Sequence, residues 1–317
     1  MNSPTLFSEP PSLKGLSWRT IDVADLPAVF VLAEHCREID GGLPFLNKPE
    51  PLRDHWLPES TIAAIGAFAG DVMAAAASVS LKRDPNSETA RFVGQVGLEH
   101  RNRGLGEYLM QWSEAQARAA FRKEAGERRL QIATETLNDV SARLYAAHGF
   151  EQEMEGLVMQ RDLDRALPDL AVPEDLTVET WQMPEARRYF EAYHAAFRDR
   201  PGFPGFSEAE WVENLTDDER FRPEWSLLAS SGAVPVGFVT ASREAPDGFV
   251  IQTGVIPSQR RRGICSALLT EVMRRMLSDG LASAQLTVHT DNPGAIRAYE
   301  RLGFRTIGRR ARYARRA

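Results

Sequence analysis

The chain has 317 residues, a net charge of −6 and a pI near 5.7, with 43% hydrophobic and 26% charged residues. That length holds one large domain or two ordinary ones with buried cores, and an acidic balance argues against general polyanion binding, which favours a basic domain. Two cysteines, Cys36 and Cys265, are too few for a disulfide framework and stand in no metal-ligand spacing.

The opening segment MNSPTLFSEPPSLKG lacks the basic-then-apolar pattern of a secretory signal. No apolar run reaches membrane-spanning length, so a reducing, cytoplasmic setting without membrane association is expected. Residues 18–39 read as a short strand and an amphipathic helix, and 41–60 as a loop. IAAIGAFAGDVMAAAASVSL is interrupted by Gly66, Gly70 and Asp71 and reads as two strands and a turn within 61–81. A strand at 91–98 runs into RNRGLG, and a helix leaves it at 104–122. A strand (129–135), a short helix (139–148) and a closing strand (154–161) follow. RALPDLAVPEDL then gathers Pro and acids as a linker.

The same order returns after the linker: strand and helix (176–198), loop (200–225), hairpin (226–243), strand (248–256), helix (263–278), strand (284–289), short helix (293–302) and closing strand (305–314). VGLEHRNRGLGEYLMQW matches VIPSQRRRGICSALLTE with Gly104 on Gly263, an offset of 159 (263 − 104). NDVSARLYAAHGF matches NPGAIRAYERLGF with Asn138 on Asn292, an offset of 154 (292 − 138). Ordered blocks at nearly constant offset indicate a duplicated domain, divided here as 14–166 and 175–317. Interleaved helices and hairpins predict an α+β fold, each half a mixed, mostly antiparallel twisted sheet flanked by helices.

In both halves an apolar strand meets arginines and a glycine where a helix begins. Helix-start N–H groups and the helix dipole favour an anion, and Gly104 and Gly263 permit close approach or left-handed backbone. Successive N–H groups can cradle a pyrophosphate. A dinucleotide G-x-G-x-x-G and a Walker pattern are both absent.

Arg101-Asn102-Arg103-Gly104-Leu105-Gly106 fits the [RQ]-x-x-G-x-[GA] signature of the GCN5-related N-acetyltransferase superfamily, which the chain resembles over both halves. Arg260-Arg261-Arg262-Gly263-Ile264-Cys265 fits except at its last place. The tandem layout is also similar to that of mycothiol synthase-like proteins. The resemblance implies two GNAT-like domains, acetyl-CoA as co-substrate without a metal, and direct transfer to an amine through a tetrahedral intermediate. It implies that both loops hold the pyrophosphate and that the preceding strands splay at a bulge. Backbone near Val96 and Val255 would then pair with the pantetheine arm and stabilise the oxyanion. Asn138 and Asn292 would touch that arm, and Tyr145 and Tyr299 would protonate the leaving thiolate.

Glu135, His289 at the matching place and Glu99 are candidates for the base that deprotonates the amine. The late strand and Asn292-Pro293 make the second half the more typical catalytic one. Loops 41–60 and 200–225, with Trp56, Phe203, Phe206, Trp211 and Trp225, are expected to face the acceptor, a small-molecule primary amine suited to an acidic protein. A monomer or homodimer without nucleic acid is expected. The alternatives are an acyl-CoA sensor without turnover, and nucleic-acid binding through these arginines and the C-terminal RRARYARRA.

Overall fold

The computed structural model describes residues 15–43, 56, 61–122, 126–200, 203 and 205–317. Contacts divide the chain into two units: one reaches to Val158 and takes in Ile307–Ala317, and the other is Met159–Thr306.

In the first unit β1 (Ser17–Thr20), β2 (Thr61–Ala69), β3 (Val72–Asp84) and β4 (Ser87–Val96) pair antiparallel in sequence order. β5 (Glu127–Thr134) runs parallel to β4. Helix α1 (Leu26–Asp40) follows β1, α2 (Leu105–Ala120) lies between β4 and β5, and α3 (Asp139–Ala147) follows β5. The Ala-rich stretch is a hairpin turning at Gly70-Asp71, as its sequence predicts. Its strands are largely apolar because both of their faces are covered. Ile65, Ala67 and Ala75 join the core with Leu105, Leu109 and Trp112 of α2. Ala64, Phe68 and Ala76 join the core with Val29, Leu32 and Cys36 of α1. Strands buried on both faces lose the polar alternation of half-exposed ones.

The second unit repeats the plan with β7 (Thr177–Thr180), β8 (Leu227–Ser231), β9 (Val234–Glu244) and β10 (Asp247–Val255) antiparallel, and β11 (Ser283–His289) parallel to β10. Its helices are α4 (Ala186–Phe197), α5 (Glu208–Thr216), α6 (Ile264–Ser278) and α7 (Pro293–Arg301). The loop at 200–225 therefore contains a helix. Its start at Ser207 is a capping box with Glu210, a pattern readable in the sequence. Trp211 joins a core with Trp181, Tyr189, Tyr193 and Phe238. Among the described residues no helix is long and apolar enough to cross a membrane.

The closing strands, β6 (Glu151–Asp162) and β12 (Arg305–Arg316), depart from the division at 166 and 175. Ala311–Arg316 pair antiparallel with Thr134–Arg129 of β5, inside the first unit. Met159–Asp162 belong to the second unit, where the Leu163 N–H donates to Ala282 O at 2.9 Å. Alternation specifies a strand's buried face but not which of two like edges it joins.

Both parallel pairs open. β4 and β5 are in register to Phe92 and Ile132 but run on to Val96 and Thr134. β10 and β11 are in register to Val250 and Leu286 but run on to Val255 and His289. The expected bulge occurs only in β10, where the register with β9 shifts between Val250 and Gln252. β4 keeps its register with β3 through Val96, so the first gap opens by divergence alone.

Candidate active site

Each gap ends at an arginine loop, and the two loops share one backbone shape. Arg101 and Arg260 are extended, with φ −68° and −65°. Asn102 and Arg261 are left-handed at φ 58° and 66°. Gly104 and Gly263 follow at φ 80° and 79°. The first helical bonds are Tyr108 N–H to Gly104 O (3.0 Å) and Ala267 N–H to Gly263 O (2.9 Å). The amides ahead of those bonds are the orphan donors of a helix start, and the left-handed residues turn neighbouring donors inward as an anion nest. Leu105 and Ile264 are buried in the cores, so only their backbones can face a ligand.

Arg101 and Arg260 build the loops. Arg101 Nε donates to Val96 O (3.1 Å), and its Nη atoms pair both oxygens of Asp40 at 2.9 and 2.7 Å. Arg260 Nε donates to Val255 O and its Nη2 to Ala196 O, each at 3.1 Å. Arg262 pairs with Asp175 at 2.6 Å. Exposed Arg103 has, among the described residues, a 3.4 Å contact with His100 Nδ1.

A cleft of about 160 Å³ lies in the first unit, where β4 and β5 part. Gly94 and Val96 of β4, Asn102 of the loop, Gly106 and Leu109 of α2, and Tyr145 of α3 line it. The Gly97 N–H donates to Ala74 O of β3 (2.9 Å), so strand alternation turns the N–H groups of Val96 and Gly94 towards the gap. Cys36 and Asp40 reach the same cleft from α1. Sequence reasoning missed them, although their i, i+4 spacing on one helix face was available as a signal.

Tyr145 is half-buried with its ring 5.2 Å from that of Tyr313. Burial pushes its pKa up to about 12, and hydrogen bonding to the Ser141 and Thr134 side chains pulls against this shift. Thr134 and Ser141 line the cleft and were also missed. Asn138 lines it too, but its Oδ1 caps α3 by accepting the N–H groups of Val140 (3.0 Å) and Ser141 (2.9 Å). Asn292 caps α7 in the same way, accepting from Ala295 N–H at 3.2 Å. Both side chains thus hold the tyrosine helices in place before any contact with a ligand.

Glu135 falls between two lining residues, Thr134 and Thr136. Its Oε1 accepts from Arg310 Nη2 at 2.8 Å, while Oε2 is buried without a hydrogen-bond partner among the described residues. Burial raises its pKa, with Arg310 opposing. His289 is half-exposed at the end of β11, 3.9 Å from Asp291, and Glu99 is exposed. No group of three or more metal-ligating side chains occurs among the described residues.

The aromatic loop residues are mostly core: Trp56, Trp211 and Trp225 are 3%, 2% and 1% exposed. Phe203 packs on Tyr193, and only Phe206 is exposed. Most of 41–60 lies outside the described residues. The C-terminal arginines meet carboxylates of the first unit: Arg310 pairs with Glu135 (2.8 Å), Arg312 with Glu153 (3.6 Å) and Arg315 with Glu114 (2.6 Å). That pairing offsets the charge of three arginines of the C-terminal run.

A family model described as acetyltransferase (GNAT) family matches residues 29–150 and again 178–304. A mycothiol acetyltransferase of Thermobispora bispora is 29% identical over 288 residues, covering 88% of this chain and 92% of the relative. The crystal structure of a GCN5-related N-acetyltransferase from Sphaerobacter thermophilus superposes with a TM-score of 0.74 at 27% identity, covering 96% of each chain. A tandem GNAT protein from the clavulanic acid biosynthesis pathway shares the fold at 18% identity, with a TM-score of 0.65 and coverage of 95% of this chain and 98% of that one.

Proposed function

We propose that this chain, which belongs to the acetyltransferase (GNAT) family, is an N-acetyltransferase that moves the acetyl group of acetyl-CoA to a primary amine of a small molecule, and that it does so in its first unit. The observation that carries this reading is the cleft where β4 and β5 part, with an anion nest at one end and Tyr145 on its wall. The relatives named mycothiol acetyltransferase support acetyl transfer. The two sequence repeats, 14–166 and 175–317, are proposed as the two copies of the duplication.

The residues fit the co-substrate. The loop amides of Asn102 to Gly106 would take the pyrophosphate, with Arg103 adding charge. Gly94 and Gly106 present no side chain to the gap, so an extended arm can lie against backbone there. The Val96 N–H faces the gap and would hold the thioester oxygen, stabilising the charge that grows on it. The amine nitrogen bonds to the acetyl carbon, passes through a tetrahedral intermediate, and the carbon–sulfur bond then breaks. Tyr145, protonated at neutral pH, gives its proton to the departing sulfur. Glu135 takes the amine's proton through water, for which a carboxyl pKa raised by burial is the suitable direction. Exposed His289 in the second unit has no part in this scheme.

The test is thiol release from acetyl-CoA with a panel of small primary amines. Amine-dependent release is expected. Tight acetyl-CoA binding with no release for any amine would favour the sensor instead.

A further inference from the structure

The two units differ at four matched places around the gap. Gly94 and Gly106 line the first cleft, and at the loop offset of 159 their counterparts are Thr253 and Cys265. Thr134 and Ser141 stand beside the Tyr145 hydroxyl. At the later offset of 154 their counterparts are Val288 and Ala295, which offer no hydroxyl. The backbone confirms the alignment, because Gly97 N–H bonds Ala74 O and Ile256 N–H bonds Val236 O, each at 2.9 Å.

In the second unit the strand and helix side chains meet: Thr253 Oγ1 lies 3.5 Å from Cys265 Sγ. Groups in van der Waals contact sit about 3.5–4 Å apart, so a chain threaded between two walls needs roughly 7–8 Å between their heavy atoms. Tyr299 is buried, 7% exposed, where Tyr145 is half-buried on an open cleft.

We propose that the second unit holds no acetyl-CoA, because Thr253 and Cys265 fill the place that Gly94 and Gly106 keep clear, and that the chain therefore binds a single acetyl-CoA, in the first unit. The inference rests on the acetyl-CoA reading above. It reverses the assignment suggested by the more typical Asn-Pro segment of the second half. The nest is intact in both loops, so the closure lies beyond the phosphate end, at the arm.

Calorimetric titration of the full chain with acetyl-CoA tests this. One equivalent is expected for the unaltered chain. Moving the plug into the first unit (G94T/G106C) is expected to weaken binding at least tenfold. A Cβ at Gly94 would make ordinary contact (3.4 Å to Ala76 O), and one at Gly106 needs only a small shift of Leu144 (3.2 Å). Removing the plug (T253G/C265G) is expected to raise the uptake to two. Two equivalents in the unaltered chain, or undiminished uptake by G94T/G106C, would overturn the proposal. So would an uptake that stays at one in a folded T253G/C265G. If that variant fails to fold, the transplanted plug decides alone. No uptake by the unaltered chain would instead overturn the acetyl-CoA reading itself.

Discussion

Tyr145 sits four residues before Gly149-Phe150, as Tyr299 sits before Gly303-Phe304, yet the two hydroxyls meet different surroundings. The repeat located both tyrosines. It was silent on Thr134 and Ser141, because hydroxyls that face a partner are told from solvated ones only by the packing around them. Tyr145→Phe is expected to lower kcat by about 10²-fold, the lower end for a lost general acid, with acetyl-CoA affinity unchanged. Because burial pushes the Tyr145 pKa up to about 12, the wild-type rate should show no alkaline fall from this group below about pH 10, the ordinary tyrosine value. Glu135 must be ionised to act, so activity should fall with decreasing pH through a value above the ordinary carboxyl range, and Glu135→Gln should abolish that limb. The same measurements over pH locate both groups. Stability has its own sign. The folded pKa of Tyr145 is raised, so its contribution is full below pH 10 and is lost as pH climbs towards 12.

The strand–loop–helix element was legible in outline. Gly104 and Gly263 occupy the left-handed positions that their sequence context demands, and both helices begin where the apolar spacing predicted. The role of the arginines was not legible. Read locally, Arg101 is a free cation beside a glycine; in the fold it clamps the end of β4 and the last turn of α1 through Asp40. Asp40 is 9% exposed and Arg101 is 19% exposed, so removing one partner leaves a buried charge. Arg101→Ala is expected to cost about 3 kcal/mol in urea unfolding. The Asp40→Ala, Arg101→Ala double variant should lose clearly less than the sum of the single losses. A loss confined to acetyl-CoA affinity, with unfolding unchanged, would return Arg101 to the phosphate. The caps at Asn138 and Asn292 belong to the same scale. An Asn ahead of a short helix is a readable cap signal, and here it shares its residue with the family motif.

Across the whole molecule the last strand of the chain serves the first unit. β12 pairs with β5 through Ala311–Arg316, so removing Ile307–Ala317 leaves β5 as a bare edge. Amide exchange of Arg129–Thr134 should then accelerate and acetyl-CoA binding should fall, although the deletion begins 201 residues (307 − 106) after the arginine loop at 101–106. Unchanged exchange and binding would refute this dependence. The repeated order of strands and helices, the α+β class, the family and the glycine positions of the two loops could all be read from residues alone. They depend on neighbours within a few positions, where periodicity, helix starts and glycine dihedrals act. Three things required the folded chain: the partners of the arginines, the sheet that each closing strand completes, and the gap that is plugged. The first two are set by residues far apart in sequence, Arg101 with Asp40 at a separation of 61 and Arg310 with Glu135 at 175. The Thr253–Cys265 contact is short in sequence but spans a strand and a helix. Only their packing brings the two side chains together, and a cysteine that looked like a small exception in a motif becomes part of a closed wall.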